Sequence, residues 1–465
     1  MNKTEGSTLQ TIYGLDPILL RAEQARYMHV DRRFTEEFGP SPARVLRTPG
    51  RINLIGEHTD YNGGFVLPVA LDRDILCVAR PRQDCTVRAV NVEPEFAPFS
   101  FELAHDIPTA PHGDWSNYFR GACQEIVRQF GDRLDLKGMD ICVSGQPPYG
   151  VPRGAGLSSS TALTVTAALA MVLLNDIEVK RASLAHLCSQ AEWYVGTRGG
   201  MMDQFSALLG QPDRALFLDC RPAPDGTYSL AHIPIPSSTQ IILLNSGVRH
   251  ENVRSQFNQR VAECKIGVQL LRQRDPNIEQ LRDVTSDALD LGESDLWTLL
   301  NETLPVCATI WDLMRLGLDR RWLDELIADH RLDPGGAFAV LPRCRHILTE
   351  NERVLAGITA LRAGQVETFG VLMDEAHASM RDDYGASCPQ VDKLVDIVRQ
   401  QPGVLGARIT GAGWGGGVVA LARRGHAAEW TEAVQVAYRE ATGLQTNILI
   451  CRPGGGAAWD IRYTA

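Results

Sequence analysis

The chain has 465 residues, 44% of them hydrophobic and 22% charged, with a formal net charge of -10 at neutral pH. That length exceeds what one hydrophobic core usually serves, so two domains or one large two-lobed enzyme is expected. The negative balance excludes wholesale binding to nucleic acid or to an anionic membrane, since neither offers it a charge to neutralise, and leaves small-molecule partners open.

A helical N-terminal segment leads into "ARVLRTPGRINLIGEH", where Val45 and Leu46, then Ile52 to Ile55, read as short strands around a Pro-Gly turn. "GGFVLPVALDRDILCVARPR" continues with strand-like runs that stop at Pro81. "DICVSGQPPYGVPRGAGLSSS" is a strand followed by a Gly/Pro-rich loop, and over 161–174 nothing breaks a helix. "ALFLDC" and "TQIILLNSG" read as buried strands. Amphipathic helices dominate the second half, such as 251–272 with Val253, Phe257, Val261 and Cys264 on one stripe. Near the end "GARIT" and "GVVALARR" flank a glycine turn as two strands. The lobe boundary is placed in the Pro/Asp/Gly/Ser-bearing stretch 224–236, giving lobes of 1–230 and 231–465.

The eleven cysteines are scattered, with no C-x-x-C pair and no cluster at zinc spacing, and "MNKTEGSTLQ" lacks a signal pattern. Reduced thiols in a cytoplasmic protein are therefore expected. The longest apolar stretch, 162–174, is too short to span a bilayer and reads as a buried helix. Only five lysines stand beside 41 arginines, most simply a bias of the source genome. A phosphate neutralised by the motifs below would have to meet arginine or a metal.

"GRINLIGEHTDYNGG", 50–64, crowds an arginine, a histidine and two carboxylates between a proline and a glycine pair. "GAGLSSST", 154–161, ends a loop and opens the apolar helix; free amides at a helix start make it an anion cradle, and the alternative is a serine-capped helix after a flexible loop. It is not a Walker A loop, because no Gly-Lys-Ser/Thr follows. "GAGWGG", 411–416, formally matches G-x-G-x-x-G, but a strand rather than a helix follows, so a tight turn between strands is the better account. "GGMMDQF" sets Asp203 among apolar residues, where an arginine would be its natural partner.

Taken together, these motifs resemble the galactokinases of the GHMP small-molecule kinase superfamily. "PGRINLIGEHTDYNGGFVLP" looks like the galactokinase signature, "PRGAGLSSSTAL" like the superfamily's phosphate loop and "GARITGAGWGGG" like its third motif. "GMMDQFSALLG", "ALFLDCR", "NSGVRH", "RVAEC" and "RDDYGASCPQVDKLV" extend the likeness in the family's order. The resemblance implies an α/β (α+β) two-lobed GHMP kinase fold with ATP and sugar in the cleft between lobes. It implies transfer of the γ-phosphoryl group of ATP to the anomeric hydroxyl of galactose, by a monomer that needs Mg²⁺. Position by position it makes Asp203 the catalytic base and Arg51 the catalytic arginine. Glu57, His58, Thr59, Asp60, Gly200 and Phe257 fall at substrate-binding positions. Gly154, Ala155, Gly156, Leu157, Ser158, Ser159 and Ser160 fall in the ATP loop, and Ser160 and Glu192 at the Mg²⁺ positions. A ring of hydroxyls is read by carboxylate acceptors and by an imidazole able to donate or accept, which fits the signature.

The sequence departs from the family at four places. Phe257 replaces a tyrosine whose hydroxyl contacts the sugar, so it is either core or the sign of an altered preference. Thr161 replaces an alanine. The span from Glu192 to Asp203 is one residue short, which puts the metal role of Glu192 in doubt. Trp414 and Gly417 replace Phe and Cys, with the turn expected to survive. A kinase for an amino sugar or uronic acid, or a non-catalytic galactose and ATP sensor, are the alternative readings.

Overall fold

The computed structural model describes residues 7–152, 156–196, 199–248 and 253–463. Two compact units emerge, Met1–Ile52 with Pro68–Leu216 and Cys451–Ala465, and Asn53–Leu67 with Phe217–Ile450. They are not the contiguous halves 1–230 and 231–465. The strand Leu230–Pro234 sits inside the stretch that reads as a linker, and is hydrogen-bonded into a sheet with Arg214–Asp219 and Phe65–Val66. The chain changes unit between Leu216 and Phe217, and 53–67 and the last residues each join the other unit's sequence.

In the first unit a six-stranded sheet has the order Ala458–Trp459, Arg44–Asn53, Pro68–Pro81, Met139–Ser144, Thr86–Asn91, Phe99–Glu102. Met139–Ser144 runs antiparallel to Pro68–Pro81 and parallel to Thr86–Asn91. Arg44–Asn53 is one continuous strand through Pro49 and Gly50, not two strands around a turn. Gly50 answers a packing demand: a Cβ there would lie 2.9 Å from Val151 Cγ1 and 3.0 Å from the Leu157 carbonyl oxygen. Helices Ser116–Phe130, Ser159–Leu174, Arg181–Ala191 and Met202–Leu209 pack against one another. Within Ser159–Leu174 every residue from Thr161 to Leu173 except Leu163 is buried, which is why its sequence carries no amphipathic stripe.

The N-terminal helix Pro17–Phe38 starts on Asp16, whose carboxylate accepts from Ile18 N (2.9 Å) and Leu19 N (3.3 Å), with Pro17 where no amide partner is needed. It packs on Met139–Ser144 and Pro68–Pro81. Beneath it lies a buried polar cluster. Asp74 takes Arg26 Nη2 at 2.6 Å, Arg47 Nε at 2.5 Å and the Tyr13 hydroxyl at 2.7 Å, and Arg26 Nη1 reaches Glu23 at 2.9 Å. Burial alone would push the Asp74 carboxyl up, but Arg26 and Arg47 hold it below its usual range.

The second unit contains a sheet of order Val404–Thr410, Gly417–Arg423, Thr239–Asn245, Asn447–Cys451. Helices Val366–Asp382 and Pro389–Arg399 cover Val404–Thr410, and Val253–Leu271 packs on Val340–Arg362. No described helix is long and apolar enough to cross a membrane.

Removing one partner from a buried ion cluster strands the remaining charges. Asp74→Asn is expected to lower the unfolding free energy by about 3–5 kcal/mol, read as a fall in urea midpoint.

Candidate active site

Three elements of the first unit meet at Asp203. Arg51 is on the strand Arg44–Asn53, Asp203 in the first turn of Met202–Leu209, and Ser158 at the head of Ser159–Leu174. Arg51 Nε and Nη2 donate to Asp203 Oδ1 and Oδ2 at 2.5 and 2.9 Å, a two-point fork that fixes the carboxylate plane. The Ser158 hydroxyl donates to Asp203 Oδ2. Arg51 Nη1 donates to the Gly156 carbonyl at 2.7 Å, and Arg51 N to the Leu157 carbonyl at 3.3 Å, so strand and glycine loop are tied by side chain and main chain together. Gly156 has φ +76, a left-handed geometry suited to glycine. The Leu157 side chain is buried in the core. Gly154 and Ala155 lie outside the described residues. Gly200 lies just before Met201, the residue that starts the Asp203 helix.

Ser159 and Ser160 line a cavity of about 260 Å³ walled by Phe96, Trp115 and Tyr118, with Asn91 and Glu93 as its polar groups. Sequence reasoning missed these side chains, although Trp115 and Tyr118 stand three apart in "DWSNYFRG" at the start of a helix. An aromatic-walled cavity opening on a helix N-terminus suits a nucleotide.

Glu192 opens the short turn Glu192–Val195 after the helix Arg181–Ala191. Its Oε1 is shut off from solvent without a hydrogen bond. Burial, then repulsion from Asp203, pushes its carboxyl up to about 7, against the pull of Thr161 and Gln204. Thr161 itself is only 2% exposed, so its added hydroxyl lies inside the unit. Among the described residues no three His, Cys, Asp or Glu side chains gather as a metal cage. Mg²⁺ on a nucleotide needs only one or two carboxylates, its other ligands being phosphate oxygens and water. A buried carboxylate oxygen without a partner, next to Asp203 and the first turn that holds Ser160, fits that demand.

In the second unit the loop after Asn53 is pinned to the third glycine motif. Glu57 Oε1 accepts from Gly411 N at 2.8 Å and Thr410 Oγ1 at 3.1 Å, and the Glu57 carbonyl faces His346 Nε2 at 3.1 Å. Arg408, fully buried, lies 3.6 Å from Glu57 and 3.8 Å from Glu350. Among the described residues none of its three guanidinium nitrogens finds a hydrogen-bond partner. Glu350 also accepts from Gly56 N at 2.8 Å. Burial would raise its carboxyl, but Arg353 and then Arg408 hold it at about 2.

His58 takes a left-handed backbone, φ +64. Its Nδ1 meets the Tyr61 hydroxyl at 2.7 Å, which meets the Tyr384 hydroxyl at 2.6 Å, while Nε2 is buried without a partner among the described residues. Burial, then His346, keeps the ring neutral by moving its pKa well below the usual value. Asp60, half-buried, heads the turn Asp60–Asn62. The Thr59 hydroxyl lies within donating distance of the Phe65 carbonyl (2.6 Å) and the Gly56 carbonyl (3.0 Å), and so staples the loop. Phe257 packs on the core of its unit, and its ring also lies 5.6 Å from His58 and 5.2 Å from Tyr61. The motif "GAGWGG" is the turn between antiparallel Val404–Thr410 and Gly417–Arg423, with Thr410 opposite Gly417. A Cβ on Gly413 would lie 2.3 Å from the Ala386 carbonyl, so that turn sits tight against neighbouring chain.

Three family models match: the galactokinase galactose-binding signature over residues 32–81, and the GHMP kinase N-terminal and C-terminal domains over 117–211 and 358–439. A galactokinase of Chloroflexus aggregans is 38% identical over 91% of this chain and 95% of its own length. The chain belongs to the galactokinase family of GHMP kinases. A galactokinase of Roseiflexus sp. is also 38% identical, over 91% of this chain and 95% of its own. The crystal structure of Lactococcus lactis galactokinase complexed with galactose aligns with TM-score 0.76 and 27% identity, covering 94% of this chain and 99% of that one. A mevalonate kinase structure at 16% identity and TM-score 0.54 shares the fold. This family member is thus a two-domain α/β kinase acting on a small molecule.

Because Glu350 is held at about 2 against an ordinary 4.5, its contribution to stability is present above pH 4.5 and is lost as the pH falls toward 2. Glu350→Gln is expected to flatten the acid limb of a plot of urea midpoint against pH over that window.

Proposed function

We propose that this chain is an ATP-dependent galactokinase that converts galactose and ATP to galactose 1-phosphate and ADP. The observation that carries the reading is the Arg51–Asp203 fork, held on the glycine loop at the start of a buried helix. Asp203 takes the proton of the anomeric hydroxyl; the freed oxygen pair bonds the γ-phosphorus as its bond to the bridging oxygen breaks, and ADP departs. Arg51 keeps Asp203 in place and offsets charge on the moving phosphoryl group. Such a transfer asks chiefly for positioning and electrostatic stabilisation.

First-turn amides of Ser159–Leu174 hold phosphate oxygens, and the aromatic cavity beside them takes the base. Glu192 and Ser160 would hold Mg²⁺, which when bound offsets the charge of the nucleotide phosphates. His58 Nε2 and Asp60 read sugar hydroxyls, and Glu57 shapes their loop from its anchorage on Thr410 and Gly411.

Phe257, set against His58, supports a second reading in which the preferred acceptor is a related amino sugar or uronic acid. A coupled ADP-release assay with Mg-ATP over galactose, its epimers, galactosamine and galacturonate decides between them. Galactose is expected to turn over fastest; turnover of another sugar without galactose overturns the first reading, and binding without any turnover points to a sensor. Asp203→Asn is expected to abolish turnover while sugar binding, measured by calorimetry, persists. Phe257→Tyr is expected to lower the galactose KM by about 2- to 10-fold, the worth of one neutral hydrogen bond.

A further inference from the structure

Ser158 combines three features that its neighbours do not explain. Its backbone is left-handed, φ +52 and ψ +48, a conformation that L-residues other than glycine adopt at a cost. It stands at the N-cap of Ser159–Leu174, where a serine hydroxyl normally accepts from a first-turn amide, yet it makes no such bond. Its hydroxyl instead donates to Asp203 Oδ2, the oxygen that also receives Arg51 Nη2.

An ionised carboxylate has about two acceptor sites on each oxygen. Arg51 Nη2 and Ser158 Oγ fill those of Oδ2, whereas among the described residues Oδ1 receives Arg51 Nε alone. The two oxygens of Asp203 are therefore inequivalent, and what makes them so is the Ser158 hydroxyl.

We propose that Ser158 is a positioning residue that closes Oδ2 of Asp203 and leaves Oδ1 as the oxygen that takes the acceptor's proton. This rests on the reading of Asp203 as the base. In the step, the hydroxyl O–H breaks with its proton passing to Oδ1, the oxygen pair forms the new P–O bond, and the bond to the bridging oxygen breaks toward ADP. The left-handed backbone at Ser158 serves this positioning, because it turns the side chain away from its own helix and onto a residue 45 positions later.

The test compares Ser158→Ala, Ser158→Gly and Asp203→Asn with the unaltered full-length enzyme, using Mg-ATP and the best acceptor of the sugar panel. Both Ser158 variants are expected to lose about 10- to 100-fold in kcat, the scale of a hydrogen bond to a charged group, with KM for ATP and sugar unchanged. Glycine accepts the left-handed backbone, so Ser158→Gly is expected to lose activity with no fall in urea midpoint, which a purely structural role would not give. Unchanged kcat in both variants, with Asp203→Asn inactive, overturns the role of Ser158 alone. A raised ATP KM at intact kcat assigns the hydroxyl to the nucleotide and likewise overturns it. Near-normal turnover by Asp203→Asn overturns the reading of the base beneath it.

Discussion

The Arg51 guanidinium is the interaction on which the first unit's site depends. Its planar fork uses three nitrogens in three directions, two on Asp203 and one on the Gly156 carbonyl. The same residue's amide binds Leu157, so one position sets both the carboxylate and the loop that leads to the helix start. A lysine ammonium offers a single charged point and could not hold the plane of Asp203 while reaching Gly156. The scarcity of lysine in this chain costs the site nothing, because geometry rather than charge alone is what Arg51 supplies.

A second arginine organises the other unit by different means. The Arg408 guanidinium makes no hydrogen bond among the described residues, and acts as a buried positive charge between Glu57 and Glu350. Around it the hydrogen bonds are made by neighbours: Thr410 and Gly411 to Glu57, Gly56 to Glu350. The third glycine motif therefore does two jobs, a close-packed turn at Gly413 and a grip on the loop that carries His58 and Asp60.

Much of the fold was legible because local pattern and final burial agree. The helix 159–174 is apolar all round, and the strands at 139–144, 214–219 and 239–245 follow their apolar runs. Pro49-Gly50 misled, since the pair reads locally as a turn while the glycine answers contact with Val151 and Leu157, about a hundred residues away. The unit boundary was hidden for the same reason: the composition of 224–236 suits a linker, but its strand Leu230–Pro234 pairs with Arg214–Asp219. At the site, residue types pointed to Arg51 and Asp203, whose pairing the structure supplies. That the Thr59 hydroxyl also staples its loop could not be read, because nothing in "EHTDYN" reveals which hydroxyl faces its own backbone. Arg408 was a single letter in "GARIT"; its signal was a charge between Ala407 and Ile409 in a strand with no polar face.

The strand that carries Arg51 has as its sheet neighbour on one side the short Ala458–Trp459, with Leu46 opposite Trp459 and Arg47 opposite Ala458. On the ribosome that neighbour is made after the whole of the second unit. The second unit's residues, through Ile450, have all been synthesised before Ala458 joins the chain. The pairing of Arg44–Asn53 with Ala458–Trp459, and the bond from Arg47 to the Gly455 carbonyl, can form only once that late segment exists. The unit that carries Arg51 therefore gains its last sheet partner only after the second unit's residues have been made.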